Sequence, residues 1–234
     1  GAAPLLPELD AIAAATTADE LAAVGGRLMR SSVSLFFAPY INNDINDTTR
    51  YITYFSQAGL GLPDESYYRE DKYADTREAY TGHVGRALTL AGVVDEGGAA
   101  EAAQKVMAFE TELASHHWDS VKTRDPQLAN NPRTWAEIAS QNPGFAWDAW
   151  AKELGLDTSV LDTLNVDQPD FLEAGASLWT ATDLEVLKLW LMRKIVDARS
   201  PLLSRAFVEE NFDFYSRTLA GTEELRPRWK RGLG

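Results

Sequence analysis

The strongest constraint on this chain is an apolar stripe written at helical spacing near its C-terminal end. Leu184, Leu187, Leu191, Ile195 and Val196 recur every three or four residues, which puts them on one face of an α-helix. Thr182-Asp183-Leu184-Glu185 has the form of a capping box at the start of that run, and Pro201 stops it. The same grammar stands at the other end. Thr17-Ala18-Asp19-Glu20 reads as a capping box, Thr17 the N-cap and Glu20 reaching back, ahead of Leu21, Val24, Leu28 and Met29. A shorter helix is expected before it, around Leu5 to Ala15. Chains bracketed in this way must bury several amphipathic helix faces against one another.

One stretch breaks the helical period. Val33 to Ile41 and Arg50 to Ser56 are rich in β-branched and aromatic residues, and the turn-forming run NNDINDTT lies between them, so a β-hairpin is predicted. A helix is the rival over 47–57. The alternation of Tyr51, Thr53 and Phe55 with Ile52, Tyr54 and Ser56 favours the strand. Gly59 to Asp64 (GLGLPD) is a loop by its glycine and proline density. Helices resume from about Tyr73 to Ala91, stopped by Gly92, and from Gly98 to Trp118 after the Gly97-Gly98 joint. Residues 119–133 read as loop. Thr134 caps a short helix to Gln141, Pro143-Gly144 breaks it, and Phe145 to Leu154 is helical again. Leu164 to Asp167 reads as a short strand or an extended link, and Phe207 to Leu219 as the last helix, ended by Gly221. The predicted fold is mainly α: a multi-helix domain with a small β-hairpin, running as one unit over residues 1–234, with no internal repeat.

Composition excludes several classes of function. Hydrophobic residues make up 45% and aromatics 10%, enough for a packed core and too many for a disordered chain. The formal charge is −13, which repels nucleic-acid phosphate. The one dense basic cluster, Arg226, Arg228, Lys230 and Arg231, reads as a solvated helix face. Absence of cysteine rules out disulfides and thiolate metal sites. No stretch approaches the roughly 18 continuous apolar residues of a membrane span. Gly1 to Leu9 lacks the basic start of a signal peptide. Neither nucleic-acid binding nor membrane contact is expected of this segment, and its compartment stays open.

A search for catalytic groups finds little. A metallopeptidase helix needs HExxH, so that two histidines and a glutamate meet one zinc-bound water. The histidines here are His83, followed by Val84-Gly85-Arg86, and the adjacent His116 and His117, which point about 100° apart on a helix. His116 and His117 are expected to be partly exposed residues at a helix end. There is no nucleophile elbow, no phosphate loop and no dinucleotide fingerprint. Trp147 and Trp150, flanking Asp148, share a helix face and offer a sugar platform by spacing, though aromatics so spaced belong more often to a core. Asn46-Asp47-Thr48 is an N-glycosylation sequon by form, at the predicted hairpin tip. No catalytic and no metal-ligating residue is assigned, and the substrate-binding residues are unknown.

Five runs, in order, carry a resemblance. Gln57 to Tyr68 (QAGLGLPDESYY) resembles the QxGLGLPxRDYY stretch of the neprilysin and endothelin-converting enzyme family, with Glu65-Ser66 in place of the usual Arg-Asp. Ala79-Tyr80 through His83 with Leu88 to Gly92 resembles its AYxxHV…LxLAG helix, and Glu110 to Trp118 its ExxLAxxHW segment. Asn211 to Tyr215 with Leu219 to Thr222, and then Arg226 to Arg231, resemble its NFDFYxxxLxGTxxxxPRWKR run, bacterial-type at Arg231-Gly232. The resemblance implies a zinc-dependent endopeptidase acting on peptides. It also implies that the zinc ligands and the catalytic machinery lie C-terminal to residue 234, so that this segment holds no cofactor. The expected role is a non-catalytic lid that encloses the substrate chamber and restricts access to peptides, partnered by its own catalytic domain. A lid should expose an apolar face where that domain packs. The alternative readings are an autonomous helical protein-interaction module without enzymatic activity and, more distantly, a small carbohydrate-active enzyme.

Overall fold

The structure is a computed structural model, and it describes residues 1–231. Two helices open it, α1 (Leu6–Ala14) and α2 (Ala18–Met29), followed by the hairpin strands β1 (Phe37–Asp44) and β2 (Asp47–Gln57). A single turn, α3 (Ser66–Arg69), leads into the long helices α4 (Ala74–Leu90) and α5 (Ala99–Ser115). Short elements follow: β3 (Pro132–Arg133), α6 (Trp135–Gln141), α7 (Trp147–Leu154) and β4 (Leu164–Val166). The last third holds α8 (Pro169–Ala181), α9 (Leu184–Arg199), α10 (Arg205–Asn211) with a π-helical continuation over Phe212–Thr218, and α11 (Arg228–Arg231). The chain is mainly α with one small sheet. No helix among the described residues is long and apolar enough to cross a membrane.

Local chemistry explains the helix starts and corrects two of them. Thr134 forms the complete capping box with Glu137. At α2, Thr17 Oγ1 accepts from the Glu20 N–H at 3.1 Å, but the Glu20 carboxylate takes the Thr16 N–H at 2.7 Å instead of that of Thr17. At α9 the Thr182 box does not form. The Thr182 N–H and hydroxyl both bond Leu178 O, so Thr182 closes α8. Two residues lie between the helices, and the second, Asp183, caps α9 through the Glu185 N–H at 2.9 Å.

The hairpin is longer at its tip than the turn-rich sequence suggests. Asn42, Asn43, Asp44, Asp47, Thr48 and Thr49 are all in strands, and only Ile45-Asn46 makes the turn. Side chains replace the backbone partners that such residues usually compete for. Asp44 accepts from the Asn46 N–H, Asp47 from the Thr49 N–H, and the Tyr54 hydroxyl takes the Ile45 N–H while donating to Asn43 O. At the other end β1 starts at Phe37, because Val33 to Phe36 link it to α2, with Val33, Leu35 and Phe36 buried in the core. The sheet runs β1-β2-β4-β3, with β2 and β4 parallel and the outer pairs antiparallel. Strand β3 lies within the stretch expected to be loop, where two residues pair with β4.

The core is aromatic. Phe37 sits under the hairpin with its ring 5.0 Å from Phe55, 5.0 Å from Trp147 and 4.9 Å from Trp150. Trp179 and Trp190 extend the layer between α8 and α9. Helices α2 and α7 cross in backbone contact at Gly26, where an added Cβ would lie 2.2 Å from the Trp150 carbonyl oxygen. The core face of the hairpin continues past the helices. Ile41 and Tyr51, on the same face as Phe37 and Phe55, are 74% and 69% exposed.

Strand β1 is the open edge, and it is closed chemically. The Asp167 N–H bonds Phe55 O, so the Phe55 backbone faces β4, and that of Pro39, its partner on β1, faces solvent. Pro39 has no N–H to offer there. Four residues on, the outward Asn43 N–H is taken by the Asn42 side chain at 2.9 Å. This leaves Ile41 with the one outward N–H between them.

Candidate functional site

The runs that carry the family resemblance are far apart in sequence, yet most of them meet in one buried polar network between α4, α5, α9 and the GLGLP loop. Glu110 on α5 is completely buried. Its carboxylate accepts from Tyr68 at 2.7 Å, from Tyr80 at 2.9 Å and from the Gly61 N–H at 3.2 Å, and it forms an ion pair with Arg193 on α9. The Tyr68 oxygen also takes the Gly61 and Leu62 N–H groups, each at 3.1 Å. Burial, with the adjacent Glu110 charge, holds the Tyr68 hydroxyl well above the ordinary tyrosine range, so it stays a donor. The loop has no room to shift: a Cβ at Gly61 would lie 1.8 Å from the Tyr80 oxygen. Trp190 bonds Gly59 O at 3.0 Å, and Gln57 and Trp118 exchange two bonds beyond it.

A second clasp adjoins the first. His83 on α4 is 1% exposed, with its Nε2 3.1 Å from Asp197 of α9 and its Nδ1 3.0 Å from Glu210 of α10. Phe214 stacks on the imidazole at 5.0 Å, Tyr215 meets it edge-on, and the Tyr215 hydroxyl donates to Asp197 at 2.8 Å. The π-helical turn makes this possible, since its wider period brings Glu210, Phe214 and Tyr215 onto one face. Burial alone would pull the His83 pKa down. The two carboxylates outweigh it and hold the value above that of an ordinary histidine, so the imidazolium donates to both. Arg193 bonds Asp197 at 3.1 Å and joins the two clasps.

Across the hairpin lies a cleft of about 620 Å³, between the face opposite the core, the segment 123–130 and Asp167-Gln168. Tyr40 and Tyr54 stack in it at 5.1 Å, and the Tyr40 hydroxyl donates to Asp167 at 2.9 Å. Burial raises the Asp167 pKa above the usual carboxylate value. The reciprocal amide pair Asn46–Asn130, 3.0 Å in each direction, ties the hairpin tip to the far wall.

The residues singled out from the sequence fall apart in space. His83 holds carboxylates with both nitrogens. His117 is partly exposed just past the end of α5, as expected, yet its ring packs against Phe171 and bonds Ala58 O at 3.1 Å, and burial lowers its pKa to about 4. His116 lies at the surface, 3.4 Å from Glu112. Trp147 and Trp150 are buried core, and Asp148 accepts from Trp135. Sequon residue Asn46 stands at the turn. Lys230 lies over the exposed Trp229 ring, and Arg226 is exposed, whereas the side chains of Arg228 and Arg231 and residue Gly232 lie outside those described. Among the described residues no three His, Asp or Glu side chains are set to hold a metal ion, so the donor set here does not fit zinc. Sequence reasoning missed Arg193, Asp197, Glu210 and Gln168. The one available signal was charge at i,i+4 (Arg193, Asp197) inside the apolar stripe of α9.

Comparison with known proteins agrees with this geometry. The model of peptidase family M13, N-terminal part, matches residues 1–234. Endothelin-converting enzyme 1 of Cavia porcellus is 25% identical over 200 residues, covering 84% of this chain and 26% of that protein. Neprilysin of Mus musculus is 26% identical over 214 residues, covering 82% of this chain and 28% of that protein. The structure of the Mycobacterium tuberculosis zinc metalloprotease Zmp1 in its open state superposes with a TM-score of 0.96 at 43% identity, over 100% of this chain and 36% of that one. The chain thus spans about a quarter of the curated relatives it matches and about a third of the structure. With most of its quoted runs gathered into one buried network and a family model matched from end to end, this chain belongs to peptidase family M13, as its N-terminal region.

Proposed function

We propose that residues 1–234 form the non-catalytic lid domain of a zinc-dependent endopeptidase, packing over a catalytic domain and restricting its chamber to peptides. The observation that carries this reading is the superposition on Zmp1, which covers all of this chain and 36% of that zinc metalloprotease. The donor chemistry supports it, since both nitrogens of His83 are engaged by carboxylates and His117 is spent on a backbone carbonyl. The exposed Ile41 and Tyr51 support it too, as an apolar end of the hairpin suited to a neighbouring domain. The rigid network around Glu110 gives such a lid a fixed shape, so that it moves as a body. Peptides are then the substrates of the whole enzyme, and zinc is held outside this segment.

The test compares this chain with a chain extended through the downstream half of the same open reading frame. Zinc content and hydrolysis of a mixed peptide pool are measured on both. Stoichiometric zinc and turnover in the extended chain alone support the lid. Either property in the short chain refutes it.

A further inference from the structure

The cleft on the outer face of the hairpin presents an uncommitted amide donor. Gln168, at the N-terminal end of α8, is 4% exposed, and its side chain lines the cleft. Its Oε1 accepts the Gln57 N–H at 2.8 Å and the Ser56 hydroxyl at 3.4 Å. A backbone N–H can only donate, so Oε1 must face Gln57 and the amide cannot be flipped. The Nε2 group points the other way and has no acceptor among the described residues. The Nε2 group is reached from the cleft, so a water or a ligand carbonyl can accept from it.

The other walls define what would fit. The carboxylate oxygens there are already engaged: Asp44 by the Asn46 N–H and Arg50, Asp167 by Tyr40 and Asn165. Both Gln57 amide groups are spent on Trp118. The amide hydrogens of Gln168 are the uncommitted donor of the inner wall. Exposed Asn42 adds a second, since its Oδ1 caps the Asn43 N–H and leaves its own amide hydrogens at the cleft mouth. No lysine, arginine or histidine lines the cleft, which disfavours anionic ligands. Tyr40 is stacked on Tyr54 through one face and is 42% exposed, offering the other to an apolar group. Two donors beside an aromatic ring suit amide carbonyls spaced along a chain. Sugar hydroxyls need acceptors as much as donors.

We propose that this cleft binds the main chain of a neutral peptide, with a peptide carbonyl on the Gln168 side-chain amide. The site deepens the lid reading by giving the lid a peptide subsite of its own, but its test does not depend on that reading, because binding is measured on this chain without any catalytic half.

The experiment titrates the 15N-labelled chain with N-acetyl-trialanine N-methylamide and, separately, with maltotriose, following the Gln168 side-chain amide by NMR. Saturable shifts of that amide with the peptide alone are expected. Gln168→Glu keeps an oxygen for the Gln57 N–H and replaces the donor, and it should weaken peptide binding about tenfold, the weight of one hydrogen bond turned repulsive. Asn42→Asp, at an exposed position that cannot endanger the fold, keeps the Asn43 cap and should weaken binding about threefold. Equal binding of maltotriose, unchanged affinity in both variants, or no shift with either probe would overturn the proposal and leave the cleft to water.

Discussion

Replacing His83 by glutamine should change how the fold responds to alkali. In the native chain a buried imidazolium donates to Asp197 at 3.1 Å and Glu210 at 3.0 Å. Glutamine keeps one donor group and loses the charge, so two carboxylates face each other across a weaker bridge. Breaking a buried ion pair from one side costs about 3–5 kcal/mol, which for a chain of this size lowers the melting temperature by about 6–20 °C. The pH dependence carries the sharper content. His83 has a folded pKa above its unfolded value of about 6.5. Its stabilisation is therefore fully present below pH ~6.5 and is lost as pH rises through the folded pKa, at up to about 1.4 kcal/mol per pH unit. Lys194, pushed down to about 7 by burial and the neighbouring Arg193, works in the opposite sense above neutrality. The wild-type curve alone is thus ambiguous, and the quantity to plot is the difference between wild type and His83→Gln. Urea unfolding at steps from pH 6 to pH 9 measures it. The difference should shrink steadily as pH rises. A difference that is flat over this range would mean that His83 is neutral in the fold, and the two-carboxylate clasp would be wrong.

Other consequences follow from the same geometry. Gly61→Ala pushes a Cβ into the buried Tyr80 oxygen, and thermal melting should show a loss of about 3 kcal/mol, against about 1 kcal/mol for Gly92→Ala, where φ is +74° but no atom lies near. Glu110→Gln leaves Arg193 short of a charge and three donors facing a weaker acceptor, and equilibrium unfolding should report a loss of about 3–5 kcal/mol. His117, with a folded pKa of about 4, binds its proton later than the unfolded chain does. Stability should fall as pH drops from about 6.5 toward 4, and His117→Phe should remove that limb from the urea profile.

The helices and the loop between Gly59 and Asp64 were legible because apolar periodicity, caps and glycine density are local signals. Thr182 misled because two helices met with only two residues between them, and which of two adjacent cap formers serves each helix is decided by their packing. The hairpin tip misled because asparagine and aspartate read as turn formers, whereas here their side chains satisfy the strand backbone at Asp44 and Asp47. Strand β3 carries no pattern at all. Its two residues pair only because β4 lies beside them. The buried network was half visible. Tyr68, Tyr80, His83 and Glu110 sat in the quoted runs, but nothing in them said that the two tyrosines would reach Glu110 across 30 and 42 positions of sequence. Gln168 was invisible, since an amide left without an acceptor is a property of its surroundings.

The blocked edge of β1 decides what can pair with the sheet. Peptides entering a protease are extended strands in search of partners, and an exposed sheet edge would template them into a growing sheet. Pro39, with no N–H, and Asn43, with its N–H already taken, leave room for one outward N–H bond between them, at Ile41. Carbonyl oxygens remain there, but with one N–H to give the edge cannot complete an alternating ladder. The sheet therefore resists growth at this edge, and a chain that meets the hairpin is left to its faces rather than to its rim.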